Sequence, residues 1–368
     1  LKTIHRLTVL VFILMLGVPP VIMLTTPNAT ISVNENRYLA QVPNFRELLG
    51  HPIKDTFNAI ERYVSDQFGL RDALTSIYGF LMYYALRSAP RDSVLIGEDG
   101  WLYYSGKASE YAMDDYRGLI QLSDTYLQNA AGYLQTRKNR LTEQGIRYIF
   151  VLAPDKQSIY PEFVPSRLNV VSTYRRIDQF LAYMRAHTDV EFVDLRAPLL
   201  EAKASGTQVF FRTDTHWNTP GAYAAYQAIT RALGLPASVG WRPVPILHTG
   251  DLGKLMGLPP TEMTVYYEKP DACAKEGSPE LAVSLPYWIE SHNFTCTAAN
   301  GRALIFYDSF LDRMQVFLAE NFGQTTFAKA RYAPEIAEPL IGLVQPTVVI
   351  EEIVERRLNS YFDYSPAK

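Results

Sequence analysis

Two short stretches of this chain carry the residue types of acyl-transfer chemistry. The first is Asp214–Thr215–His216–Trp217–Asn218. In an extended segment, residues two apart point the same way, so Asp214 and His216 can share one site. A carboxylate there would fix the imidazole tautomer and stabilise its charged form, as a general base requires. The second stretch is Tyr307–Asp308–Ser309–Phe310. A serine between a strand and a helix has its hydroxyl at the carboxyl edge of a sheet, where α/β sites gather. The start of the helix would supply free N–H groups and a positive dipole end for an oxyanion. Each stretch also has a plainer reading. His216 would serve as a capping or packing residue with Trp217 in the core, and Asp308–Ser309 as an N-cap pair.

The elements around these residues alternate. Residues 120–144 read as a helix stopped by Gly145, followed by an apolar strand, Tyr148–Leu152. A helix over Thr173–Ala186 precedes the strand Val190–Val193. The strand-like Val209–Phe211 leads into the first stretch. The helix Pro220–Leu233 leaves it, with Thr219 as N-cap, Pro220 in the first turn and Gly234 as the stop. Ala303–Tyr307 is a strand followed by a helix over Arg313–Asn321, and Thr347–Glu351 is a last strand followed by a final helix. Such alternation predicts an α/β fold, a parallel sheet with helices on both faces. Residues 236–300 break the rhythm and are expected to form an insertion over the sheet. Upstream, Val94–Ile96 and Trp101–Tyr104 flank a Gly97–Asp99–Gly100 turn, as in a hairpin, and Lys54–Arg87 is helical in pattern.

The chain has 368 residues, 48% hydrophobic and 20% charged, with a formal net charge of -3. No long basic run is present, which argues against a nucleic-acid partner. Leu7–Leu24 is uncharged and mostly apolar, long enough to cross a hydrocarbon core, and Lys2, His5 and Arg6 precede it. The expectation is a cytoplasmic tip (1–6), a transmembrane signal anchor (7–25), a linker (26–50) and a domain over 51–360 on the far side of the inner membrane. A cleaved signal peptide is the alternative, although no small-x-small site stands out at Thr25–Ala29. Cys273 and Cys296 are the only cysteines. In an oxidising compartment they would close a loop, a contribution of about 3 kcal/mol; two free thiols are the other reading. They make a poor zinc site, and no metal or cofactor is expected.

Asp214–Thr215–His216–Trp217–Asn218 with Gly221–Ala222, and the later Asp308–Ser309–Phe310, resemble the SGNH-hydrolase-like alginate O-acetyltransferase family (AlgJ/AlgX-like). Val94–Leu95–Ile96–Gly97 with Gly100–Trp101–Leu102–Tyr103, Pro154–Asp155–Lys156 with Ile159–Tyr160–Pro161–Glu162, Gly250–Asp251–Leu252–Gly253 and Val354–Glu355–Arg356 fit the same pattern. The resemblance implies an SGNH-like sheet in circularly permuted motif order, Asp-x-His before the serine. It implies Ser309 as nucleophile, His216 as proton carrier and Asp214 as its orienter, with an acetyl-serine intermediate. The acceptor would be an alginate-like polysaccharide in the periplasm, and a membrane-bound O-acyltransferase would supply acetyl. Lys156, Trp217, Asn218 and Tyr307 are the candidate substrate contacts, with Tyr307 standing where the family has a small residue. Glu355 and Arg356 read as a structural ion pair. A polysaccharide acetylesterase, or an inactive carbohydrate-binding subunit of a secretion complex, would use the same fold.

Overall fold

Strands that are apolar on both faces belong inside a parallel sheet, because helices must cover each side. The computed structural model describes residues 2–32, 37–44, 52–259, 262–277 and 289–363. In it, Val348–Val354 is buried throughout, and Arg147–Ala153 at every residue but the first. These two lie near the middle of a seven-stranded sheet. Its order is Glu191–Asp194, Arg147–Ala153, Val348–Val354, Arg302–Phe306, Gln324–Ala328, Ser291–Thr295 and Lys275–Glu276. The first five strands are parallel and the last two antiparallel.

Side chains alternate across the pleat and so build two cores. Tyr148, Phe150, Leu152, Leu304 and Phe306 face one layer, where Leu127, Leu134, Phe180 and Leu340 pack. Ile149, Val151, Ala303, Ile305 and Ile350 face the other, with Leu199, Ala222, Tyr226 and Phe317. The helix Asp124–Glu143 starts where Ser123 Oγ accepts the Tyr126 N–H at 3.2 Å, and it buries Leu127, Ala130, Leu134 and Leu141. Truncating the fully buried Leu134 to alanine is expected to cost about 2–5 kcal/mol. Glu351 sits in a central strand because Arg137 meets it at 2.5 Å, and the Tyr148 and Tyr361 hydroxyls donate to it.

The insertion departs from the expected layer over the sheet. Arg242–His248 and Glu262–Glu268 form an antiparallel hairpin, whereas Ser291–Thr295 and Lys275–Glu276 extend the sheet itself. Gln324–Ala328 would otherwise be an open edge; Ser291–Thr295 pairs along all of it. Cys273 and Cys296 form a disulfide at the ends of this extension. Smaller differences are local. Asn218, not Thr219, caps the helix Thr219–Leu233. The helix expected over Arg313–Asn321 is a 3-10 turn, Leu311–Arg313, and a short helix, Gln315–Ala319. The final helix is a 3-10 segment, Glu355–Asn359.

The chain divides into two compact units, residues 1–91 with 253–259, and residues 92–252 with 260–368. The sheet and both motifs belong to the second. The first contains the apolar helix Lys2–Thr25 and the helices Ile53–Gln67 and Arg71–Leu86. The domain boundary therefore differs from the expected start at 51. Contacts to the apolar helix and its exit explain this. The Gln67 side-chain amide donates to the Ala29 and Ala40 carbonyls and accepts from the Ala29 N–H, and Asp66 pairs with Arg37. The hairpin Val94–Ile96/Leu102–Tyr104 forms as expected.

Candidate active site

Asp308 and Ser309 follow the strand Arg302–Phe306 directly, at the carboxyl edge of the sheet. The loop is held by its own carboxylate and by the neighbouring strand. Asp308 Oδ1 accepts the Phe310 N–H at 3.0 Å, Oδ2 accepts the Val354 N–H at 2.9 Å, and the Asp308 N–H donates to Glu352 at 3.1 Å. Burial, and then the charge of Asp308, push the Glu352 carboxyl well above its usual range. A 3-10 turn, Leu311–Arg313, stands where a helix start was expected, and the Phe310 and Leu311 N–H groups are both bonded to Asp308.

Asp214 and His216 lie on the loop between Phe211 and the helix Thr219–Leu233. In place of the expected strand Val209–Phe211 there is a single bridge, Phe210 to Trp217. The bridge closes the loop so that His216 Nε2 reaches Ser309 Oγ at 2.8 Å and Nδ1 reaches Asp214 Oδ1 at 2.7 Å. With Nδ1–H donating to the carboxylate, Nε2 is left to accept the serine proton, and the tautomer is assigned from this network. The His216 ring packs on Phe310, with ring centres 4.9 Å apart. Burial would lower the imidazole pKa, but the hydrogen bond and charge of Asp214 outweigh it, and the pKa is raised. Asp214 is also buried, yet hydrogen bonds from His216 and His248 hold it well below the usual carboxylate range.

Residues to which the motif reading gave no role complete the loop. His248 Nε2 meets Asp214 Oδ2 at 3.0 Å, and its ring stacks on Phe211. Asp251 accepts from the Thr215 N–H and hydroxyl at 2.7 and 2.5 Å, and its own N–H donates to Asp214 at 3.2 Å. Gly250 makes that approach possible: a β-carbon there would lie 2.0 Å from the Thr213 carbonyl oxygen. Glu262 accepts the Arg212 and Thr213 N–H groups at 2.8–3.2 Å. All three come from the insertion. Asp251 was visible inside the Gly250–Asp251–Leu252–Gly253 match; His248 and Glu262 leave no local pattern.

The four candidate substrate contacts are buried and hold other partners in this structure. Lys156 is 2% exposed, and its ammonium donates to the carbonyls of Phe211, Arg212 and Asp214 at 3.1, 3.0 and 2.6 Å. Burial lowers its pKa to about 8. It braces the loop from below. Trp217 fills the core, edge-on to Phe310. Asn218 accepts from the Gly221 N–H and donates to the Gln208 carbonyl. The Tyr307 hydroxyl accepts from the Gln315 side-chain amide inside the core. Arg356 pairs with Asp155 rather than Glu355, and Glu355 accepts from the Asp155 N–H and the Ser158 hydroxyl.

Ligand-type atoms of Asp214, His216 and Asp251 all lie within 4.8 Å of one another. The same atoms already serve the hydrogen bonds described above. Asp214, His216 and Ser309 thus stand in one hydrogen-bonded line, an arrangement able to support serine acyl transfer.

Comparison with known proteins agrees with this fold. The chain is 26% identical to a probable alginate O-acetylase AlgJ of Pseudomonas fluorescens over 210 residues, 55% of this chain and 50% of that one. It is 28% identical to the AlgJ of Azotobacter vinelandii over 236 residues, 62% of this chain and 58% of that one. The chain thus spans little more than half the length of the curated relatives it matches. Among solved structures, Bacillus cereus PatB1 with a sulfonyl adduct superposes with a TM-score of 0.54 at 18% identity, over 74% of this chain and 99% of that one. The O-acetyltransferase domain of Pseudomonas putida AlgJ gives 0.50 at 20% identity, over 75% and 96%. Both likenesses concern the fold. Residues 94–283, just over half of the chain, match the family model of the SGNH hydrolase-like domain of the acetyltransferase AlgX, and the chain belongs to that family.

Proposed function

We propose that this chain transfers acetyl groups through Ser309 to hydroxyls of an alginate-like polysaccharide outside the cytoplasm. The observation that carries the proposal is the hydrogen-bonded line from Asp214 through His216 to Ser309, with links of 2.7 and 2.8 Å. Ser309 Oγ attacks the carbonyl carbon of an acetyl ester while His216 Nε2 takes its proton. The tetrahedral adduct collapses, the donor's C–O bond breaks, and the leaving oxygen takes the proton back from His216. Acetyl-serine remains. A sugar hydroxyl then gives its proton to His216 and attacks the acetyl carbon; the bond from that carbon to Oγ breaks, and His216 returns the proton to Ser309 Oγ. Asp214 holds the ring and offsets its charge in each transition state.

Family membership and the relatives named as probable alginate O-acetylases support the transferase reading. The apolar helix Lys2–Thr25 supports an inner-membrane anchor with the sheet unit in the periplasm, and the disulfide fits an oxidising compartment. Acetyl-CoA is a cytoplasmic donor, so a membrane-bound O-acyltransferase is the proposed source of acetyl. An inactive carbohydrate-binding subunit would have no need of three side chains in hydrogen-bonded line.

The test uses a chromogenic acetyl ester and oligomannuronate. Wild type should turn over the ester and add one acetyl mass to the sugar, and Ser309→Ala should do neither. Equal turnover by the variant would sink the proposal. Release of acetate with no gain on any sugar acceptor would favour the esterase.

A further inference from the structure

The helices Ile53–Gln67 and Arg71–Leu86 expose apolar side chains that a water-facing surface would not retain. Ile53, Phe57, Ile60 and Val64 form one exposed stripe, at the i, i+4, i+7, i+11 spacing of a helix face. Asn58, Glu61, Arg62 and Ser65 occupy the next face round. Arg71–Leu86 carries no charge from Ala73 to Leu86, and Leu74, Ile77, Phe80, Leu81 and Tyr84 are all exposed. Gly79 is its one fully buried residue. Exposed patches of this extent mark a surface that something covers.

The turn between the two helices identifies the cover. A β-carbon at Gly69 would lie 2.2 Å from the Pro19 carbonyl oxygen and 2.8 Å from Ile22 Cβ, so this turn rests directly on the apolar helix Lys2–Thr25. Pro19 to Met23 belong to the uncharged run that crosses the membrane in the anchor reading. Six residues separate Pro19 from the helix end at Thr25, about 9 Å at helical rise. A segment fixed at that height lies at the boundary between acyl chains and headgroups. Arg71–Leu86 is too short to cross: its uncharged stretch covers about 21 Å against a hydrocarbon core of about 30 Å. Aromatic residues such as Phe57, Phe68, Tyr78 and Tyr84 suit the same depth.

We infer that Ile53–Gln67 and Arg71–Leu86 lie in the lipid bilayer interface as an amphipathic platform, giving the protein a second membrane contact beside its spanning helix. This inference rests on the anchor reading and is independent of the chemistry at Ser309.

The full chain, reconstituted in phosphatidylethanolamine–phosphatidylglycerol vesicles with a phospholipid bearing a diazirine in its acyl chain, tests it by irradiation and peptide mapping. Adducts are expected on peptides from 53–86 as well as 7–24, above the level on an added soluble protein. Adducts confined to 7–24 would overturn the interfacial platform and leave the anchor intact. Adducts on neither would remove the anchor reading itself. The combined variant Leu74→Ser, Ile77→Ser, Phe80→Ser, Leu81→Ser should lose adducts over 71–86 while keeping those on 7–24 and its ester turnover. A photoreactive residue at Ile77 should capture lipid in native membranes; capture of a protein there would overturn the inference.

Discussion

The loop carrying Asp214 and His216 and the loop carrying Ser309 meet at one hydrogen bond, yet they are held by different parts of the chain. Ser309 depends on its own neighbourhood: Asp308 bonds back to Phe310 and across to Val354, and Glu352 takes the Asp308 N–H. These are contacts along the edge of two adjacent parallel strands. The His216 loop is held chiefly by side chains; its backbone ties are the Phe210–Trp217 bridge and the Leu102 N–H on the Arg212 carbonyl. Its fixed points are Lys156 beneath it, and His248, Asp251 and Glu262 from the insertion. The sheet thus places Ser309, while the insertion and one buried cation place His216. Damage to the second set should reach the chemistry without touching Ser309.

The largest effect belongs to the point where the loops meet. Ser309→Ala and Asp214→Asn should each lower kcat on an acetyl ester by about 10^4-fold or more, measured against the folded variants. Lys156→Met comes next. It leaves the buried Phe211 and Asp214 carbonyls without their donor, while Arg212 keeps the Leu102 N–H, and should cost about 2–4 kcal/mol of stability in a denaturant titration, with activity falling alongside. The matched change in the other loop, Glu352→Gln, should stay within about 1 kcal/mol. Burial already favours the neutral acid there, and the amide keeps an acceptor for the Asp308 N–H. A large loss at Glu352 and a small one at Lys156 would invert the comparison.

Reducing the Cys273–Cys296 disulfide should lower stability by about 3 kcal/mol, seen as a drop in Tm, with little change in kcat. That bond ties the edge extension of the sheet and touches neither loop.

The pH profile separates positioning from structure. His216 must be neutral to accept the serine proton, and its pKa is raised, so activity should rise with pH through a value above the ordinary 6.5. His248→Phe removes a donor from Asp214 and leaves more negative charge facing His216. The acid limb should then move to higher pH. His248→Gln, which keeps a donor, should restore it. A His248→Phe variant that is less stable but has an unmoved limb would reduce His248 to packing. Tyr307→Phe is the smallest: one hydrogen bond to Gln315, about 1 kcal/mol, and kcat unchanged.

Much of this arrangement was legible beforehand, and the limits follow from physics. Asp214, His216 and Ser309 stood out by short-range spacing and strand–helix punctuation only as candidates beside plainer capping readings, and the family resemblance joined them into one site. The strands Arg147–Ala153, Arg302–Phe306 and Val348–Val354 were readable because each contains an apolar run, Tyr148–Ala153, Ala303–Phe306 and Val348–Ile350. Ser291–Thr295 was not, since a short, polar strand has no such run. His248 and Glu262 act through contacts between segments far apart in the chain, which no periodicity records. For Lys156, Trp217, Asn218 and Tyr307 the motifs suggested contact with substrate, but their burial and their partners are tertiary and left no mark in the sequence.

The central claim is that Ser309 carries the acetyl group. Brief incubation with an activated acetyl ester, an acid quench and peptide mass mapping tests it directly. A mass gain of one acetyl should appear on the peptide containing Ser309 in wild type, should build up in Asp214→Asn only slowly, and should be absent in Ser309→Ala. Acetyl found on another residue, or ester turnover undiminished in Ser309→Ala, would contradict it.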